Sequence, residues 1–514
     1  MEALVRVEAG GYSNLVLPAL LRQSGLDSRD RALVTDLVYG TLRLQGQADF
    51  LLAQASHRPL AELDAPVRAA LRLGAYQLLS GVAPHAAVGV TVGALAAWPS
   101  PAAVRRAAPF ANAVLRRVAG LGPDWPWPAG AGAEAVAVRT SHPRWIVELL
   151  RRDLGADADA VLAAANEPPA VTLRPNPLRT TSDDLVAELT ATASAAAVER
   201  GRLVPSAVVV RGVGDLARLP AVAEGRATPQ DQASQAVAAA VGARPGERIL
   251  DLAAAPGGKA TALAEAMGDD GLVVAADLRP GRAARVQEAA RRLGLRSVQV
   301  IAADGRHLPL RPPGWGEPAP APPAAPAGTA SAAAASAAAA SAAAASAAAA
   351  SAGAASAAAA LAGAASAAAA PAGAPFAGSA SAGPEADAGA GAGFDRVLLD
   401  APCSGLGVLR RRPEARWRLE PAAIGTAAAL QRQLFAAAAA RVRPGGVLVY
   451  SVCTLTREET RDIDDWAAAT FPDFTADGGP GLPWRPHGRG ALLLPPAAGT
   501  DGMFLLRLRR AGPA

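Results

Sequence analysis

A chain of 514 residues, 51% of them apolar, has room for about two or three domains and for a sizeable core. Its two cysteines, Cys403 and Cys453, are too few for a secreted disulfide scaffold, and a zinc site would need closer spacing or histidine partners. The net charge of +5 permits a nucleic-acid partner without establishing one.

Met1-Glu2-Ala3-Leu4-Val5-Arg6 lacks the basic and apolar regions of a signal peptide. Outside one alanine-serine repeat, no run of about 20 residues has a membrane-spanning composition. A cytoplasmic protein is expected, with no membrane and no metal, acting as a monomer. Residues 1–125 read as a helical bundle. Asp27-Ser28 can cap a helix whose Leu33, Val34, Leu37, Val38 and Leu42 recur at helical spacing. Val67, Ala70, Leu71, Leu73, Leu78 and Leu79 mark another, and Phe110 to Val118 closes the set. Pro84-His85-Ala86 and Trp98-Pro99 punctuate it, and the proline-rich stretch 123–130 reads as a linker. A small connecting α/β unit is expected over 140–225, with a helix at 144–154 and strands at 171–174 and 203–210.

From 226 to the end, strand and helix patterns alternate, which predicts a doubly wound, mostly parallel α/β sheet. Strands are expected at 248–252, 272–276, 298–301, 396–399 and 447–450, with a closing hairpin of 491–494 and 503–508. Residues 311–393 interrupt this pattern. They are proline-rich, then repeat Ser-Ala-Ala-Ala-Ala, then turn glycine-rich. With almost no large apolar side chains they cannot bury a core face, so they read as an exposed insertion.

In a doubly wound sheet, ligands sit at the carboxyl ends of the strands, and five such ends carry chemistry. The turn Asp251-Leu252-Ala253-Ala254-Ala255-Pro256-Gly257-Gly258-Lys259 follows a strand and opens a helix, so small residues let a ligand approach free backbone N–H groups. A phosphate loop fails here at Ala253 and Ala260. Lys259 is the only lysine in the chain, a compact ammonium where arginine serves everywhere else. Asp277 ends the next strand and suits a ribose diol, or a helix cap. Asp304 ends the third and suits an adenine amino group, or a plain turn. Cys403, in Asp400-Ala401-Pro402-Cys403, and Cys453, in Tyr450-Ser451-Val452-Cys453, both fall just beyond core strands of the same rim. The residues alone do not rank these two thiols. Arg410-Arg411-Arg412 and Arg416-Trp417-Arg418 suit phosphate contact and stacking, or a solvated charged helix. Arg105-Arg106 and Arg116-Arg117 could add a second RNA contact.

Asp400-Ala401-Pro402-Cys403-Ser404-Gly405 and Ser451-Val452-Cys453-Thr454-Leu455-Thr456-Arg457-Glu458-Glu459 resemble the paired-cysteine motifs of the RNA cytosine-5 methyltransferases of the RsmB/NOP2/Sun family. The turn from Ala253 to Lys259 resembles that family's S-adenosylmethionine (AdoMet) loop, and Gln230-Asp231-Gln232-Ala233-Ser234-Gln235 resembles the segment before it. Ser141-His142-Pro143-Arg144-Trp145 and Leu173-Arg174-Pro175-Asn176-Pro177 fit its connecting region. The N-terminal bundle resembles the NusB-like domain of the branch acting on bacterial 16S rRNA. The departures are Ala253 where Cys is common, Ala260 where Thr is common, Val452, and the insertion.

The resemblance implies a Rossmann-like class I methyltransferase using AdoMet and acting on 16S rRNA. Cys453 would be the nucleophile, Cys403 would assist release, and Asp400 and Lys259 would complete the catalytic set. Ala253, Ala254, Ala255, Pro256, Gly257, Gly258, Lys259, Asp277, Asp304 and Asp400 would hold AdoMet. A tRNA or 23S rRNA substrate, or a non-catalytic RNA-binding assembly factor, are the alternatives.

Overall fold

A computed structural model describes residues 1–99, 101–192, 197–213, 216, 219–309 and 393–512. Apart from Gly393, the insertion expected over 311–393 lies outside the described residues.

The N-terminal region is helical. Helix Ser28–Arg43 starts where its cap predicts: the Asp27 carboxylate accepts the Asp30 N–H at 2.8 Å, satisfying one of the helix's free amides. Its Val38 and Leu42 are buried, whereas Leu33 faces solvent. Helices Gln45–Ala55, Ala65–Leu79, Pro84–Ala96 and Ala108–Ala119 close around Leu51, Leu52, Leu71, Leu95 and Leu115. Helices Glu2–Glu8 and Ser13–Gln23, which apolar spacing does not single out, add Leu4, Val7 and Leu17 to a second cluster with Val38 and Leu42. Packing is closest at Gly40, where a methyl group would lie 2.0 Å from the Tyr76 ring.

The connecting unit begins with helix Arg144–Leu154. Strands β1 (Val171–Pro175), β2 (Ala197–Arg200), β3 (Val208–Arg211) and β4 (Ala227–Pro229) then form an antiparallel sheet in the order β2-β3-β1-β4. The strand expected over 203–210 begins only at Val208. Residues before it turn the chain back from β2, and Gly201 N–H closes that turn on the Ala207 carbonyl at 2.8 Å.

The remaining strands are β5 (Arg248–Asp251), β6 (Leu272–Asp277), β7 (Val298–Ala302), β8 (Phe394–Asp400), β9 (Val442–Val452), β10 (Phe474–Ala476), β11 (Arg485–His487), β12 (Gly490–Leu493) and β13 (Met503–Arg510). They form one sheet in the order β11-β12-β13-β9-β8-β5-β6-β7, with β10 also paired to β13. β5 to β9 run parallel, and β13 closes against β9 antiparallel. The expected closing hairpin is therefore part of the main sheet. The short strands β10 and β11 escape sequence patterning because each is only three residues long.

The strand order makes the site. The chain steps outward from β5 to β6 and β7, then returns to the other side of β5 as β8. A crevice opens at such a reversal, outside the carboxyl ends of the two central strands. Those ends are Asp251 on β5 and Asp400 on β8.

Two glycine substitutions test the packing. Gly40→Ala should destabilise the protein by about 1–3 kcal/mol through overpacking against Tyr76. Gly89→Ala, on helix Pro84–Ala96 with nothing within 4 Å, should instead stabilise it by about 0.4–1 kcal/mol. Denaturant titration of both variants gives the signs.

Candidate active site

After Asp251 the chain turns into helix Gly258–Ala266. Gly257 makes the turn at φ +106°, in the left-handed region, and a Cβ there would come within 3.0 Å of Val286 Cα. Glycine is therefore required twice over. The helix is fixed from outside by Arg174 of β1. Its guanidinium meets Glu265 through two bonds of 2.8 and 2.9 Å, Thr261 Oγ1 at 3.0 Å and the Gly258 carbonyl at 2.6 Å, and it also bonds Gln230. The connecting unit thus holds the first and last turns of the helix that opens the site.

Lys259 Nζ donates to Asp400 Oδ2 at 2.7 Å, and Ser451 Oγ donates to Asp400 Oδ1 at 2.8 Å. Burial opposes the Lys259 charge, but the adjacent Asp400 carboxylate outweighs it and lifts the ammonium above its ordinary value; Cys453 and Asp251 act in the same direction. Asp251, beneath the turn, is fully buried, and neither carboxyl oxygen makes a well-formed hydrogen bond. Burial, then the charge of Asp400, pushes its pKa up to about 7, against the pull of Lys259 and the Ala253 N–H.

Asp277 ends β6 as expected. It accepts the Arg279 N–H at 3.1 Å and lies 3.5 Å from Arg282 Nη2, which donates to the Ala255 carbonyl at 2.9 Å. Asp304 departs from expectation. β7 stops at Ala302, and Asp304 caps a short 3-10 turn, Gly305–His307. Its carboxylate is gripped by Arg306 through Nε at 3.0 Å and Nη2 at 2.6 Å, which lowers its pKa.

The two thiols meet: Cys403 Sγ and Cys453 Sγ are 3.3 Å apart, both half-buried. The hydrogen bond to Cys453, then burial, pushes the Cys403 thiol well up. Sequence reasoning missed what holds the loops. Glu459 and Gln431, both fully buried, bond to the residues flanking Cys403, and no spacing rule links positions so far apart in the chain.

The arginines after Cys403 are not the free RNA-contacting surface that their sequence invites. Arg410 donates to the Thr500 carbonyl at 3.1 Å, and Arg411 pairs with Asp501 at 2.8 Å and Asp231 at 2.5 Å. Arg416 is fully buried on the Ser141 carbonyl, Asn166 Oδ1 and the Ala165 carbonyl, and Arg418 bonds the carbonyls of Val7, Gly10 and Gly11. Burial brings Arg416 down to about 9. Arg412 remains exposed. In the bundle, Arg105, Arg106, Arg116 and Arg117 are all exposed; Arg105 and Arg117 also donate to carbonyls, and Arg116 to Asn112 Oδ1 at 3.2 Å.

Comparison with known proteins follows the same three parts. Residues 238–314 and 381–509 match the family described as 16S rRNA methyltransferase RsmB/F, residues 1–120 the NusB family, and residues 142–217 the ferredoxin-like domain of RsmF/B-like methyltransferases. A relative from Mycobacterium tuberculosis is 35% identical over 97% of this chain and 93% of its own length. The ribosomal RNA small subunit methyltransferase B of Pseudomonas putida is 32% identical over 98% of this chain and 96% of its own length. Among solved structures, PH0851 superposes with a TM-score of 0.73 at 22% identity, covering 99% of this chain and 97% of that one. A methyltransferase homologue from Pyrococcus horikoshii gives 0.51 at 21% identity, covering 74% and 100%. The fold is a Rossmann-like methyltransferase behind a NusB-type bundle.

The raised pKa of Asp251 has a measurable sign. A folded-state acid shifted from 3.8 to about 7 favours the fold while protonated, and that advantage is lost as pH rises between those values. The stability of the wild type relative to Asp251→Asn should therefore fall by up to about 4 kcal/mol from pH 4 to pH 7. Denaturation curves showing no pH dependence in that difference would remove the assignment.

Proposed function

The chain belongs to the RsmB/F family of 16S rRNA methyltransferases, and on that premise we propose that it methylates carbon 5 of a cytosine in 16S rRNA through a covalent adduct of Cys453. The observation that carries the reading is the thiol pair 3.3 Å apart, beside the Lys259–Asp400 pair at the strand-order reversal. A binding or assembly factor needs neither feature.

Carbon 5 of cytosine is a weak nucleophile. A thiolate from Cys453 adding to carbon 6 turns carbon 5 into an enamine carbon. The Lys259 ammonium, within electrostatic reach of Cys453, favours the thiolate. Asp400 hydrogen-bonds the pyrimidine edge near nitrogen 3 and stabilises charge as the thiol adds. S-Adenosylmethionine, when bound, supplies an electrophilic methyl group. The carbon 5 proton then leaves and the thiol is eliminated. Cys403, held protonated, stands beside the departing sulfur and assists release.

The residues fit AdoMet. Gly257 leaves no space for a side chain, Asp251 lacks a well-formed hydrogen bond, and Leu278 beside Asp277 is exposed. The turn 253–258 would hold the ligand with Lys259, Asp277, Asp304 and Asp400. Asp277 suits the ribose hydroxyls, and Asp304 must release Arg306 to take an adenine amino group. The base must leave its stack to enter such a pocket. We assign residues 1–125 to RNA binding, 140–225 to connection and 226–514 to catalysis. Among the described residues, no helix is long and apolar enough to cross a membrane.

The test is transfer of labelled methyl groups from AdoMet to unmethylated 16S rRNA. The wild type should place label on cytosine carbon 5, Cys453→Ala should place none, and Cys403→Ala should accumulate a covalent RNA adduct. Lys259→Met should depress turnover far more than AdoMet affinity. Label on tRNA or 23S rRNA alone would keep the chemistry and overturn the substrate. AdoMet binding with no label on any RNA would support an assembly factor.

A further inference from the structure

We propose that Glu459 is a positioning residue that sets the distance between the two thiols. Its catalytic consequence rests on the covalent reading above; its geometry does not.

Cys403 and Cys453 sit on separate loops, after β8 and after β9. Pairing of β8 with β9 sets the two loops side by side, and the Gly407 N–H reaches the Cys453 carbonyl at 3.0 Å. Glu459 then fixes the residues next to the two sulfurs through hydrogen bonds. One carboxylate oxygen accepts the Ser404 N–H at 2.8 Å and Gln431 Nε2 at 3.0 Å. The other accepts the Ser404 hydroxyl, and Thr456 Oγ1 at 3.0 Å. Ser404 Oγ also lies 2.7 Å from Thr454 Oγ1. Ser404 follows Cys403, and Thr454 follows Cys453, so one carboxylate ties the residue after each thiol into a single network. Gln431 closes the other side of Cys403 by donating to the Pro402 carbonyl at 2.9 Å.

Burial makes the arrangement costly. Glu459 is 0% exposed, and among the described residues no lysine or arginine forms an ion pair with it. A buried carboxylate without a cation is tolerated only when its lone pairs are satisfied, as four donors do here. Removing it would leave those donors unpaired in a dry interior, and the two loops would separate to find water. Glutamine can keep the network. Its carbonyl replaces the first oxygen, and its amide donates to hydroxyls that can rotate to accept.

The consequence lies at release. Cys453 must be eliminated while Cys403 stands against it. If the loops part, Cys453 can still add to carbon 6, but the second thiol is out of place when the bond must break. A loss of Glu459 should therefore mimic loss of Cys403.

Two measurements on the full-length chain decide the matter. The first needs no RNA. Diamide oxidises the two thiols to a disulfide and is itself reduced to the hydrazine, and mass spectrometry follows the Cys403–Cys453 bond. Closure should be at least about tenfold slower in Glu459→Ala and in the milder Ser404→Ala, and Glu459→Gln should restore the wild-type rate. The second uses labelled AdoMet and 16S rRNA. Glu459→Ala should retain first-turnover adduct formation, lose at least about tenfold in multiple turnover, and accumulate denaturant-resistant RNA adduct. Unchanged disulfide closure in both alanine variants would overturn the proposal. So would a parallel fall of adduct formation and turnover, which is the mark of a merely structural loss. Should the wild type form no adduct with any RNA, the functional reading fails, and the oxidation arm still judges the geometry.

Discussion

A single ion pair ties the site together. Lys259 lies in the first turn of the helix after β5, Asp400 ends β8, and 2.7 Å separates their charged atoms across the reversal in strand order. Each partner is braced from behind. Arg174 fixes the lysine's helix, and Ser451 fixes the carboxylate. With both partners partly buried, losing either one strands the other's charge in a poorly solvated crevice. The turn above Asp251 and the loops of both cysteines are arranged around this pair.

The bracing is long-range in sequence. Arg174 lies in the connecting unit, yet its partners are Gln230, Gly258, Thr261 and Glu265. A disturbance of β1 is thus felt at the turn proposed above to hold S-adenosylmethionine. The ordering of that turn depends on a neighbouring unit as well as on its own glycines.

Much of this was legible. Parallel strands declare themselves as apolar runs ending in Asp or Cys, so the rim residues Asp251, Asp277, Asp400 and Cys453 could be placed from sequence. The adjacency of the two thiols followed from both loops sharing one rim. The struts were not legible. Glu459, Gln431 and Arg174 act through contacts between segments distant in the chain, and a polar residue that will be buried looks like any surface residue in a single sequence. The same blindness misled the reading of 410–418. Arginines there match a nucleic-acid surface in composition, but carbonyls and carboxylates from three parts of the chain consume most of them. Asp304 was misplaced by a smaller margin, because the end of β7 and the start of the following turn carry no distinguishing pattern.

That arginine segment has a bearing on modularity. The chain leaves Cys403, passes through Arg410 and Arg411 against Thr500 and Asp501, and reaches Arg416 and Arg418 against the connecting unit and the N-terminal bundle. The loop that bears Cys403 is thus continuous with the clasp that holds the bundle. The bundle is not a detachable cassette. A chimera that exchanged it for another helical module, leaving residues 403–418 untouched, would leave the Arg418 guanidinium without the Val7, Gly10 and Gly11 carbonyls and would free the far end of the Cys403 loop. Recombination between relatives would have to carry the bundle and this segment together.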